Sequence, residues 1–188
     1  ALGATGQAAQ AFMNTFLAAA AAGLVWVLVE WRRDGHPTNL GAASGIVAGL
    51  VAITPAAGYV SGAAPLIIGG IAGLVCCYAV RIKTKFLFDD ALDVVGVHFV
   101  GGLVGSLLIG FFANPEFFDG AFDEGLFYGG GLGLLAEQAI ANLAAIVWSF
   151  AITFVIMVVL KKTIGVRVDE QVETTGLDFG LHSESAYH

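Results

Sequence analysis

The chain has 188 residues, 57% of them hydrophobic and only 12% charged, with a formal net charge of −7. A soluble domain carries roughly 25% charged residues, so this composition excludes an ordinary soluble domain and points to an integral membrane protein. No basic patch interleaved with aromatics occurs, which sets nucleic-acid binding aside.

In chain order, five apolar stretches are long enough to cross a bilayer, which takes about 20 residues each. They cover about 8–30, 40–57, 64–81, 91–113 and 133–160. The second is short and meets Thr54-Pro55, with Ala56 and Ala57 carrying its helix towards Tyr59. The fifth is long enough to tilt or to project beyond the bilayer, and its first half holds Glu137, Gln138 and Asn142. The expected fold is all-α: a polytopic membrane helix bundle over 1–165 with five transmembrane helices, followed by a cytoplasmic tail over 166–188. The chain starts at Ala1 without a methionine, and no basic segment precedes its first apolar stretch. It reads as a partial or trimmed chain rather than one opening on a signal peptide.

The connections predict orientation. All eight Lys and Arg residues lie in three segments: Arg32 and Arg33; Arg81, Lys83 and Lys85; Lys161, Lys162 and Arg167. The alternate connections, around 57–63 and 114–132, have none, and the second of them carries Glu116, Asp119, Asp123 and Glu124. Such a bias places the basic segments in the cytoplasm and the N-terminus outside. The belt-anchor reading suits Trp31 and Tyr78, near span ends.

The 26 glycines are set among Val, Leu, Ile and Ala. GxxxG spacing at Gly45–Gly49, Gly69–Gly73 and Gly101–Gly105 predicts close helix packing and says little about function. Cys76 and Cys77, adjacent in an apolar run, read as small buried hydrophobes rather than a disulfide or metal pair. His36, His182 and His188 fall in a connection or the tail and read as solvated. No nucleophile–base pair, phosphate loop or zinc motif is present, so an enzyme is not expected.

His98 stands apart. From Val94 to Ala113 it is the single ionisable side chain. Such a group inside a membrane span is costly and typically faces a bundle interior or a transport path. Asp90, Val94 and His98 are spaced i, i+4, i+8, and Gly101 and Gly105 prolong the stripe. Asp89 and Asp90 suit the N-terminal cap of that helix. Asp93, one turn in, needs a hydrogen-bond partner or a watery vestibule. Three uses of His98 stay open on the residues alone: a bond to a neighbouring helix, a haem or metal ligand, or a path lining. The path lining leads, because an imidazole can donate and accept hydrogen bonds and hold a proton near neutral pH.

Three blocks, taken together, resemble the Amt/Mep/Rh ammonium transporter family, of the prokaryotic Amt type. The first runs from Leu40-Gly41-Ala42-Ala43-Ser44-Gly45 to Thr54-Pro55-Ala56-Ala57-Gly58-Tyr59. The second runs from Asp89-Asp90 through Asp93-Val94 and Gly96-Val97-His98 to Gly101-Gly102. The third is the tail, with Gly176-Leu177-Asp178, His182, Glu184 and Ala186-Tyr187. The resemblance implies the last five of eleven helices, in a trimer with one pore per subunit in the plasma membrane. It implies that His98 is the second of two pore histidines, that Val94 is an apolar pore-lining position, and that Asp90 is a carboxylate near the inner mouth. It implies conduction of ammonium or ammonia, no cofactor, and a tail able to meet a PII signalling protein. A membrane ammonium sensor signalling through the tail is the alternative.

Overall fold

The computed structural model describes residues 3–115 and 122–185. Ala1, Glu116, Asp119, Ala186-Tyr187 and His188 lie outside them. The chain divides into two compact units, Ala1–Asn142 and Leu143–His188.

The described residues are helical, with no strand. In order they form α1 (Gly6–Asp34), α2 (Asn39–Ile53), α3 (Ala64–Ala79) and the short α4 (Ile82–Phe86). A π-turn over Val94–Phe99 then runs directly into α5 (Val100–Phe112). A 3-10 turn at Leu126–Tyr128, α6 (Gly133–Thr163), α7 (Glu170–Thr175) and α8 (Leu177–His182) complete the order. Four helical stretches are long and apolar enough to cross a membrane, and α2, with 15 residues, is shorter. The chain is a multi-pass membrane protein built as a helix bundle.

In the first unit α2 and α3 seat on α1. Thr5 caps its start, its side chain accepting from Ala8 N, and Gly35 ends it with φ 85°, a backbone that glycine adopts without steric cost. Gly49 of α2 and the paired glycines of α3 close on the same two alanines, while Gly45 lies against Trp26 and Gly23. A Cβ at Gly49 would meet the Ala18 carbonyl and the Ala22 methyl, and one at Gly69 or Gly73 would meet the backbone of Ala18 or Ala22. Small residues thus bring three backbones together, as their spacing predicts. Gly105 seats α5 on the Ala52 backbone of α2 in the same way. Cys76 and Cys77 are buried free thiols packed with Trp26, Ala48 and Val97.

Pro55 stops α2, and the chain continues in turns to Tyr59, as Ala57 N donates to Ile53 O at 2.7 Å and Tyr59 N to Ala56 O at 2.8 Å. Asn14, fully buried, ties these turns to α1, its Nδ2 donating to Ala57 O at 2.8 Å and to Val60 O at 2.7 Å. Gln10 Nε2 donates to Asn14 Oδ1 at 3.0 Å, so the amide is satisfied at both ends. Removing it leaves two carbonyls unpaired in an apolar setting, where each orphan costs about 1–3 kcal/mol. Asn14→Ala is therefore expected to lower the thermal midpoint of the purified protein in detergent, while Asn14→Gln retains part of the loss.

At the opposite end of α1 the polar latch is Glu30. Its carboxylate accepts from Trp26 Nε1 at 3.1 Å and from Thr38 N at 2.9 Å. Thr38 Oγ1 in turn accepts from Gly41 N at 2.8 Å and caps α2. Gly41 is compulsory there, because a Cβ would run into the Glu30 carboxylate.

The basic and lysine-free connections of this unit separate to opposite ends. Arg81 Nη1 lies 3.9 Å from Asp34, joining the end of α3 to that of α1. At the other end Asn114 N donates to Tyr59 O at 2.9 Å and Gly125 N to Ala113 O at 2.9 Å.

Hydrophobic side chains cover the outside. Phe12, Phe16, Leu24, Leu28 and Trp31 of α1 are all more than half exposed or at half, a stripe fit for hydrocarbon. No residue of α6 is buried, and Trp148 is 69% exposed. In the second unit Arg167 Nε donates to Glu173 Oε2 at 3.0 Å, and Arg167 Nη2 forms an ion pair with Oε1 at 2.6 Å. That bond holds the Glu173 carboxyl below its usual value. A depressed folded-state value means that the contact stabilises the tail above the ordinary glutamate range and is lost as pH falls through the lowered value. A side-chain carboxyl NMR titration is expected to show Glu173 releasing its proton below the ordinary glutamate range.

Candidate functional site

The site is built from the connection that enters α5. Leu87 ends α4 in the left-handed region, at φ 55°. Asp93 adopts the same region at φ 54° and blocks any helix upstream of it. The helical stretch consequently opens at Val94, three residues after the 91 read from hydropathy.

Asp90 is therefore not a rung of that helix, as its i, i+4 spacing suggested. It is the cap: one carboxylate oxygen accepts from Val94 N at 2.7 Å and the other from Val95 N at 2.9 Å. A carboxylate on two free amides at a helix start is favoured by charge-assisted bonding and by the helix dipole. Asp89 takes no part in the cap and lines a shallow hollow with Lys83, Thr84 and Phe88.

Asp93 has the partner that its position demanded. Lys83 Nζ, from α4, donates to Asp93 Oδ1 at 2.6 Å and to the Asp90 carbonyl at 2.9 Å. Both groups of the pair are about three-quarters covered. Asp93 O also accepts from Val97 N at 2.8 Å. Lys83 is the residue that sequence reading missed. It counted only as a topogenic charge, since a contact ten positions away follows no helical or strand period.

From Val94 to Phe99 the helix is wider than α, with Val100 N donating back to Val95 O. Such π-turns are uncommon, usually single, and frequent at functional sites. Here the wide turn presses Gly96 against the Val80 backbone, where a Cβ would not fit, and inserts Val97 between Trp26, Ala48 and Cys76. With these two turned inwards, Val94 and His98 turn outwards and are exposed. Gly101 and Gly105, expected on one stripe with them, are buried against α2. Among the described residues nothing bonds the His98 imidazole. The neighbouring-helix bond considered for it is not made among the described residues. Farther along, Ser106 Oγ bonds both Gly102 O, at 2.7 Å, and Asn142 Oδ1, at 2.8 Å, on α6.

A membrane-buried imidazole on an unpartnered face, held at a π-turn by a lysine and two aspartates, can offer hydrogen bonds to a small polar species. Comparison with known proteins narrows this. The profile described as "Ammonium Transporter Family" matches residues 1–187. Over 188 residues the chain is 50% identical to an ammonium transporter of Mycobacterium tuberculosis (strain ATCC 25618 / H37Rv), covering 98% of this chain and 39% of the relative. It is 46% identical to an ammonium transporter of Bacillus subtilis (strain 168), covering 97% of this chain and 45% of the relative. The crystal structure of Candida albicans Mep2 superposes with a TM-score of 0.82 at 36% identity, covering 88% of this chain and 37% of that one. A structure titled "Sensor Amt Protein" gives 0.80 at 28% identity, covering 93% and 42%. The chain thus spans less than half the length of each of these relatives. With the whole of its length but the last residue accounted for by one profile, the chain belongs to the ammonium transporter family.

Proposed function

We propose that this chain is the second part of a plasma-membrane ammonium transporter and that His98 and Val94 line its conducting path. The observation that carries the proposal is His98. It is the one ionisable group of an apolar membrane helix, it is exposed, and among the described residues nothing bonds it. Family membership supplies the substrate class.

Desolvation gives the mechanism. Moving a bare ammonium ion through hydrocarbon costs far more than moving neutral ammonia. The cation therefore gives up its proton before the dry stretch, the amine passes along Val94 and His98, and ammonium reforms at the inner end. His98 supplies a hydrogen-bond partner where water is absent and can hold the proton in transit. The exposed side of Val94 and His98 is where the remaining lining packs in the complete protein. We place the basic connections and the tail over 166–188 in the cytoplasm, the N-terminus of this chain outside, and three copies in the assembly. The tail and basic connections are the surface for a PII-type signalling protein.

Full-length protein in liposomes, given an inward ammonium gradient, should change the internal pH at a rate that control liposomes lack. Rates equal to the control overturn the proposal. The likeness to a protein titled as a sensor favours a second reading, in which the same fold reports ammonium through its tail. Deleting residues 176–188 separates the two: signalling lost with flux wholly unchanged supports the sensor, whereas altered flux or altered flux regulation supports the transporter.

A further inference from the structure

The two aspartates at the entrance to α5 are usually read by their charge, but neither carboxylate is free. Asp90 gives both oxygens to Val94 and Val95 amides, and Asp93 is neutralised by Lys83. A passing cation finds no unpaired acid in this pair. What the three side chains do is mechanical. We infer that Lys83 is a positioning residue for Val94, the wall of the passage beside His98, acting through Asp93. This rests on the transport reading above.

Asp93 sits in the left-handed region, which few non-glycine residues occupy and which aspartate and asparagine tolerate best. Lys83 holds it there by bridging two points of one turn, the Asp93 carboxylate and the Asp90 carbonyl. Asp93 N also donates to that carbonyl, at 3.2 Å. With this turn closed, the next amides meet the Asp90 cap, and the helix opens as a π-turn rather than an α-turn. A single π-turn accommodates one residue more than an α-turn, so its loss rotates the helix on one side of it by roughly 100° relative to the other. Residues 96 to 105 are pinned by Gly96 on Val80, Val97 in its cluster and Gly105 on Ala52. The free end is Val94, which lies one turn before His98 and is exposed as His98 is. Lys83 thus fixes the shape of the passage beside the imidazole without reaching the substrate.

The test uses the full-length protein and reads the ratio of maximal methylammonium to ammonium rates, with both half-saturation concentrations. Fewer correctly folded copies scale both maximal rates equally and leave the ratio alone. A reshaped passage changes it, because the two amines differ by one methyl. Lys83→Met is expected to change the ratio by about threefold or more, a fraction of the roughly hundredfold that a full 1 Å misplacement can cost. Lys83→Arg, which can still span Asp93 and the Asp90 carbonyl, should restore it. If Lys83→Met does not accumulate, Asp93→Asn breaks the same ion pair while keeping a residue suited to the left-handed backbone, and the same ratio is read. A ratio unchanged in a folded variant overturns the inference. His98→Ala run alongside keeps the two failures distinct: if it too leaves both rates unchanged, the path assignment falls, and if it alone acts, only the role of Lys83 falls.

Discussion

His98→Ala in the full-length protein is expected to lower maximal ammonium flux by about tenfold or more while leaving protein yield and thermal midpoint near wild type. The physical ground is that an unmade hydrogen bond in a dry site costs about 1–3 kcal/mol, and each 1.4 kcal/mol of barrier is roughly tenfold in rate. Stability should hold because the imidazole is exposed and, among the described residues, bonds nothing, so truncation removes no packing here. Flux by stopped-flow and melting by size-exclusion in detergent check the two halves. Unchanged flux and selectivity would count decisively against a path-lining histidine.

The second large effect concerns packing. Gly105→Val is expected to abolish accumulation of folded protein, with a cost of about 3 kcal/mol or more from overpacking. An added Cβ would strike the Ala52 carbonyl group and Cα, which are helix backbone and cannot step aside. Gly101→Ala is the control from the same motif. Its Cβ would meet chiefly the Val51 side chain at 3.3 Å, which can shift, so near-normal yield is expected. Equal loss from both substitutions would refute this account of how α5 seats on α2.

The architecture was legible because its causes are local and repetitive. Apolar length gives the spans, GxxxG gives the contacts, and the placement of Lys and Arg groups connections by side. Asp90 as a cap was legible too, since an acidic residue before an apolar helix is a recognisable signal. The entry to α5 was not. Its shape depends on one left-handed aspartate, a lysine ten residues earlier and a glycine meeting Val80, and none of these leaves a period in the sequence. The same holds for the single stripe expected from Asp90 to Gly105. Ideal helical spacing predicts it, and the π-turn divides it into a buried and an exposed part. Asn14 and Glu30, the two polar anchors of α1, were passed over because their partners are main-chain carbonyls, a backbone amide and an indole N–H.

The amide that α1 carries at Asn14 has a consequence for biogenesis. When that segment leaves the translocon, the carbonyls of Ala57 and Val60 have yet to be synthesised or have yet to arrive. A lone α1 in lipid would hold an unsatisfied primary amide, which hydrocarbon disfavours. α1 is therefore expected to leave sideways together with α2 and its following turns, which photocrosslinking of arrested chains of increasing length would check.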